Sequence, residues 1–299
     1  MKFGFGMIYF KDVFGPEMLG FLAQKAEELG FESLWAPEHV AFPLTWNSRC
    51  ETEDGEFPEE AGAPWPSPLL PLAYAAALTK KLKFGTSVII LPHHHPLALA
   101  KDMATLDVLS SGRAILGVGG GWLKEEFDQL AIDFHTRGAR CDEALAAMRS
   151  LWRENPSSFH GKHFNFGPVM SLPKPVRGDI PIFVGGHSRA AARRTARFGD
   201  GMFPASTFAN VREAFGMLRE ECDRIGRNPG EVELMVGCDQ LLDPELWRGG
   251  IASLPDMMKR YEDLGVARVT LSAATTLGTE FDRDTYARRM EEIAARIIR

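Results

Sequence analysis

Residues Leu82 to Gly121 read LKFGTSVIILPHHHPLALAKDMATLDVLSSGRAILGVGGG. The run Leu82 to Leu91 is rich in Val and Ile and is short, as a buried strand is. Pro96 suits the first turn of a helix, and apolar residues then recur at helical spacing from Leu97 to Leu109. Ser110-Ser111-Gly112 closes that helix, and Ala114 to Val118 is a second apolar strand that runs into glycines. Strand, helix and strand in one stretch make a βα repeat, and such repeats build parallel sheets.

The same alternation extends both ways. Toward the N-terminus, Lys2 to Tyr9 and Ser33 to Ala36 read as strands. A helix from Pro16 to Leu29 lies between them, and Ser67-Pro68 opens the next one. Beyond the glycines a long helical region follows, clearest from Ala139 to Trp152. Phe159 to Val176 breaks the pattern with Gly, Pro and aromatics at hairpin-like spacing, which predicts a β-rich insertion on the rim. Strands at Pro181–Val184, Gly201–Pro204, Val232–Val236 and Arg268–Leu271 then alternate with helices at Ser188–Phe198, Asn210–Ile225, Leu254–Leu264 and Arg283–Ile298.

Eight strand–helix pairs predict an α/β fold, a parallel (β/α)8 TIM barrel with rim insertions, as one domain over residues 1–299. An open Rossmann-type sheet shares the alternation. Its phosphate-binding glycines would fall at the first βα turn, where this chain has Met7-Ile8-Tyr9-Phe10.

Composition bounds the function. With 45% hydrophobic and 25% charged residues the chain can bury a core without a disulfide or a metal. A net charge of -6 argues against nucleic acid or an anionic membrane as the main partner and leaves a small-molecule substrate. Cys50, Cys141, Cys222 and Cys238 have no metal-type spacing and read as reduced thiols. The N-terminus reads as a strand rather than a signal peptide, and no apolar run is long enough to cross a membrane, so a soluble, cytoplasmic protein is expected.

In such a barrel, polar residues just after a strand face the working end. Glu38-His39 follows the second strand and suits acid–base work or metal ligation; the competing reading is a rim histidine bonded to a loop. His93-His94-His95 follows the third strand. Consecutive side chains diverge, so no metal site is expected, and His95, just before Pro96, is the one expected to turn inward. Gly119, Gly120, Gly121 and Trp122 follow the fourth strand, where the missing Cβ atoms let a planar or phosphorylated ligand approach the backbone. Gly185, Gly186, His187 and Ser188 follow the fifth and offer amides for an anion, or an ordinary serine helix cap. Arg137 and Arg140 either bind phosphate or pair with Asp142 and Glu143. The irregular stretch Thr45 to Pro66 reads as a lid or as a surface insertion.

The ordered set of Glu38-His39, the quoted segment, ILGVGGGWLKEEF, RGARCDEALAAMRSLW and KPVRGDIPIFVGGHSRAAARRTARFGDG resembles the luciferase-like monooxygenase superfamily over nearly the whole chain. The resemblance implies a bacterial-luciferase-like barrel with a flavin-type cofactor on the strand ends, and a homodimer. It implies coenzyme F-420, a deazaflavin, with flavin mononucleotide (FMN) as the alternative. It further implies a non-proline cis peptide at Ser87-Val88 backing the ring, with His39 as acid or base and Glu38 in support. Gly119 to Trp122, Gly185 to Ser188 and Arg137 are the residues to which cofactor binding carries over.

Sugar-phosphate dehydrogenases of the family carry a catalytic Glu where this chain has Trp122, and a Trp where it has Pro43. A different substrate is therefore implied. Hydride transfer to a small organic molecule is the leading reading. An oxygen-using FMN monooxygenase, a metal-dependent barrel hydrolase using Glu38, His39 and His93 to His95, and a non-catalytic flavin-binding protein are the alternatives.

Overall fold

Strand β1 (Lys2–Gly6) pairs in parallel with β2 (Ser33–Ala36) on one side and β11 (Arg268–Ser272) on the other. These elements belong to a computed structural model that describes residues 1–6, 15–50, 55, 64–238, 243, 247–272 and 282–298. The ring continues through β3 (Lys83–Thr86), β5 (Ala114–Gly119), β8 (Ile182–Gly185), β9 (Gly201–Phe203) and β10 (Glu233–Cys238). The β3–β5 and β1–β11 pairings close it. Helices α1 (Pro16–Glu28), α2 (Leu69–Leu78), α3 (Pro96–Leu109), α5 (Arg137–Arg153), α6 (Arg189–Phe198), α7 (Phe208–Arg224), α8 (Leu254–Asp263) and α9 (Arg283–Ile297) cover the outside. The architecture is the (β/α)8 barrel that the alternation predicts.

The strands follow the two-residue period of a pleated sheet. Leu34, Leu116, Ile182, Val184, Met202 and Val236 belong to the main core shared with the helices. Trp35, Ile115, Phe183, Phe203 and Met235 alternate with them and form a separate core inside the barrel. Room for these side chains comes from glycine: a Cβ on Gly85 would run into the Trp35 ring, and one on Gly201 into Phe183. Below them, Arg268 is 2% exposed and bonds Glu233 (Nε to Oε1, 2.8 Å) and Glu32. Its guanidinium lies 5.8 Å from the Trp35 ring centre and 5.6 Å from that of Phe183, so a charge network plugs the N-terminal end.

Several boundaries differ from the sequence reading. Strand β1 ends at Gly6, and Met7 to Tyr9 lie outside the described residues. The third strand is not continuous from Leu82 to Leu91. It breaks at a cis Ser87-Val88 peptide into β3 and the two-residue β4 (Ile89–Ile90), which pairs with the end of β5. The helical region after Gly121 is two helices, α4 (Lys124–Gln129) and α5. Between them Ala131 has φ +55°, and the Asp133 carboxylate accepts from His135 N at 2.9 Å, capping a new turn. The rim insertion is an antiparallel hairpin, β6 (Ser157–His160) and β7 (Asn165–Val169), shorter than Phe159 to Val176. Among the described residues no helix is long and apolar enough to cross a membrane.

Candidate active site

The loop after β2 carries Glu38 and His39, each 7% exposed. His39 Nδ1 lies 2.8 Å from Oε2 of Glu126, a residue of α4 that is only 1% exposed. The other oxygen of Glu126 accepts from the backbone N–H of Val40 (2.6 Å) and of Ala41 (3.2 Å). Burial alone would raise the pKa of this carboxyl, but the bonds from His39 and the backbone outweigh it and hold the group below the ordinary glutamate range. An ionised acceptor on that side places the imidazole proton on Nδ1 and the lone pair on Nε2.

The neighbouring acid goes elsewhere. Glu38 Oε2 accepts from Ile90 N at 2.8 Å, and both its oxygens meet His94 Nε2, at 2.9 and 3.0 Å. The carboxylate beside His39 is thus Glu126, while Glu38 ties the loop to β4. His93 packs edge-on against Phe127, 4.3 Å between ring centres, and burial pushes it down to about 4, so it is neutral at physiological pH. His95 does not turn inward. It is exposed, and its Nδ1 caps α3 by accepting from Leu97 N at 3.3 Å, the service an N-cap residue gives a helix that starts with proline. The three histidines diverge as consecutive side chains must. Among the described residues no three His, Cys, Asp or Glu groups are arranged to hold a metal ion.

Aromatic rings surround His39. Ring centres lie 4.5 Å away at Phe42, 5.6 Å at Trp65 and 5.9 Å at Trp122, and Phe42 also meets Trp46 at 6.2 Å. A second acid of α4 fixes this wall. Glu125 accepts from Asn47 N (2.7 Å), Ser48 N (3.3 Å) and Ser48 Oγ (2.6 Å), so residues 39–48 are clipped to one short helix at both ends. Residues 51–54 and 56–63 of the expected lid lie outside the described residues.

Beside this pair the barrel floor is backbone. Val88 stands between β5 and β8: a Cβ on Gly119 would come within 2.5 Å of Val88 Cγ2, and one on Gly185 within 3.0 Å of its Cγ1. A Cβ on Gly120 would meet nothing within 4 Å, and Gly121 sits at φ +78° with its Cβ direction filled by Phe127 and Ile90. Gly186 and half-buried His187 lead into α6, where the Ser188 hydroxyl caps the helix by accepting from Ala191 N at 3.3 Å. Arg137 lies over the Phe134 ring at 3.8 Å and donates to Phe134 O. It is not paired with Asp142 or Glu143. Asp142 is bonded by Arg194 of α6, and Glu143 accepts from the backbone of Lys162, His163 and Phe164.

The sequence singles out His39 and the glycines by their strand-end positions and does not single out Glu126, the carboxylate that His39 meets. The signal available was a second acid in the first turn of a helix directly after the glycine string.

Residues 12–244 match the sequence profile of the family described as luciferase-like monooxygenase. An uncharacterized protein of Mycobacterium tuberculosis is 29% identical over 277 residues, 92% of each chain. An F420-dependent glucose-6-phosphate dehydrogenase of Amycolatopsis mediterranei is 30% identical over 200 residues, 64% of this chain and 54% of that one. Among solved structures, the monooxygenase RslO1 from Streptomyces bottropensis superposes with a TM-score of 0.77 at 25% identity, covering 100% of this chain and 99% of its own. The chain belongs to the luciferase-like monooxygenase family and is an oxidoreductase.

Proposed function

We propose that this member of the family transfers a hydride between a deazaflavin, coenzyme F-420, and a small organic substrate, with His39 giving or taking the accompanying proton. The observation that carries this reading is the pairing of His39 with buried, ionised Glu126 beside a floor of glycine backbone. The residues fit a flat, multi-ring group. Gly119 and Gly185 offer backbone on either side of Val88, and the space above Gly120 is open.

Ser87, Val88, Gly119, Gly120, Gly121 and Gly185 would back the ring, with Trp122 and His187 beside it, and Gly186, Ser188 and Arg137 would face its phosphate. When bound, the coenzyme supplies the carbon that accepts or returns the hydride. The protein does the rest. Glu126 keeps the proton on His39 Nδ1, so Nε2 takes the hydroxyl proton during oxidation and returns it during reduction. Phe42, Trp65 and Trp122 keep water away from that exchange.

The deazaflavin is supported by the likeness to an F420-dependent dehydrogenase. The end-to-end likeness to a monooxygenase favours a second reading, FMN with oxygen as co-substrate. Oxygen uptake during reoxidation of the reduced protein separates the two. Reoxidation by substrate with no oxygen consumed is expected, and oxygen uptake matching reoxidation would overturn the deazaflavin reading.

A further inference from the structure

We propose that the substrate is an uncharged, largely hydrocarbon alcohol or carbonyl compound, and that the site rejects phosphorylated and carboxylated molecules. This deepens the hydride-transfer reading and rests on it. The first support is the wall. A molecule that bonds His39 lies among Phe42, Trp65 and Trp122, with Trp46 behind Phe42. These side chains carry apolar surface and, at most, an indole N–H donor, whereas a phosphate needs several donors to leave water.

The second support is charge. Glu125 and Glu126 are both held below the ordinary glutamate range, burial being outweighed by their bonds to Ser48 and His39 and to loop amides. The charged and titratable groups acting on neighbouring His93 are Glu126, Glu38, His94 and His39. Lys124, next along the chain, is turned to Asp128 at 2.6 Å. Two buried carboxylates, Glu126 on His39 and Glu38 on His94, thus stand at this end of the site, an arrangement that disfavours an anion beside His39 more than an uncharged molecule.

The oxidation balances as follows. The C–H bond of the alcohol carbon breaks and its electron pair leaves with the hydride to the deazaflavin. The O–H bond breaks toward His39 Nε2, and the C=O bond forms; reduction runs the same steps backward.

The test is calorimetric titration of the full-length protein, with and without coenzyme F-420, using acetophenone and phenylglyoxylate. The two share a ring and a ketone and differ in charge. Acetophenone is expected to bind at least tenfold more tightly than phenylglyoxylate, and Trp122→Ala and Phe42→Ala to weaken acetophenone at least fivefold with folding unchanged by circular dichroism. Equal or tighter binding of the anion, no binding of acetophenone, or acetophenone binding indifferent to both substitutions would overturn the proposal. Failure of the protein to take up the coenzyme overturns the hydride-transfer reading instead, and it is read separately.

Discussion

In the proposed mechanism His39 acts through its neighbour Glu126, and that coupling has a measurable signature. Glu126→Gln keeps the shape of the side chain but removes the charge that holds the Nδ1 proton. It is expected to lower kcat roughly 10²-fold with KM little changed. His39→Asn is expected to cost as much, and the double variant no more than the worse single one, because the two work as a unit. Additive losses in steady-state kinetics would separate them. His93 gives a second test at this scale. Burial lowers it to about 4 against an ordinary 6.5, so the unfolded chain binds more protons between those values and stability falls as pH drops through that window. His93→Leu removes the effect. Its unfolding free energy should gain on the parent by on the order of 1 kcal/mol between pH 7 and pH 5, allowing for solvent screening at a half-buried ring. Denaturant unfolding at both pH values checks it. His39 was legible because a histidine at a strand end has few structural duties. Glu126 was not, because an acid in a first helical turn reads as a solvated group favouring the helix dipole, and its burial arises from a loop 85 residues away in sequence.

Helix α4 is six residues long, too short to be stable alone, yet it anchors residues 39–48 of the loop after β2 through Glu125 and Glu126. Glu125→Ala should free residues 47–48 while leaving global stability within about 1 kcal/mol, since the group is only half-buried. Faster amide hydrogen exchange at Asn47 and Ser48, with a raised substrate KM and an unchanged kcat, is the expected pattern. Unaltered exchange there would remove the clamp from the account. Most elements were legible, because strands of period two and helices of period 3.6 differ plainly over ten residues. The break at Ser87-Val88 was not readable from periodicity, since strand-favouring residues run on across it, Phe84 and Thr86 before and Val88 to Ile90 after, and only the family resemblance pointed there. The split between α4 and α5 was blurred in the same way by the apolar residues Leu130, Ala131 and Ile132.

The barrel as a whole separates stability from chemistry. At its N-terminal end Arg268 sits between Glu32 and Glu233. Burial would raise both carboxyls, but the Arg268 charge together with Lys83 at Glu32 and Lys2 at Glu233 outweighs it and holds them below the ordinary range. Their contribution is present above the ordinary glutamate value near 4.5 and is lost as pH falls through the lower folded values. Arg268→Met removes the buried partner that Glu32 and Glu233 share, leaving them only the more exposed Lys83 and Lys2, and should cost about 3 kcal/mol at pH 7. The deficit should shrink near pH 4, where the variant's carboxyls take up protons; a deficit independent of pH would contradict the charge network. At the C-terminal end the glycine floor and the His39–Glu126 pair together support the reading of a hydride-transfer site for a deazaflavin. The most direct test is to titrate the purified protein with coenzyme F-420 and with FMN, following tryptophan fluorescence. Saturable binding of coenzyme F-420, at least tenfold tighter than FMN, is the expected result. Tight binding of FMN with none of coenzyme F-420 would contradict it.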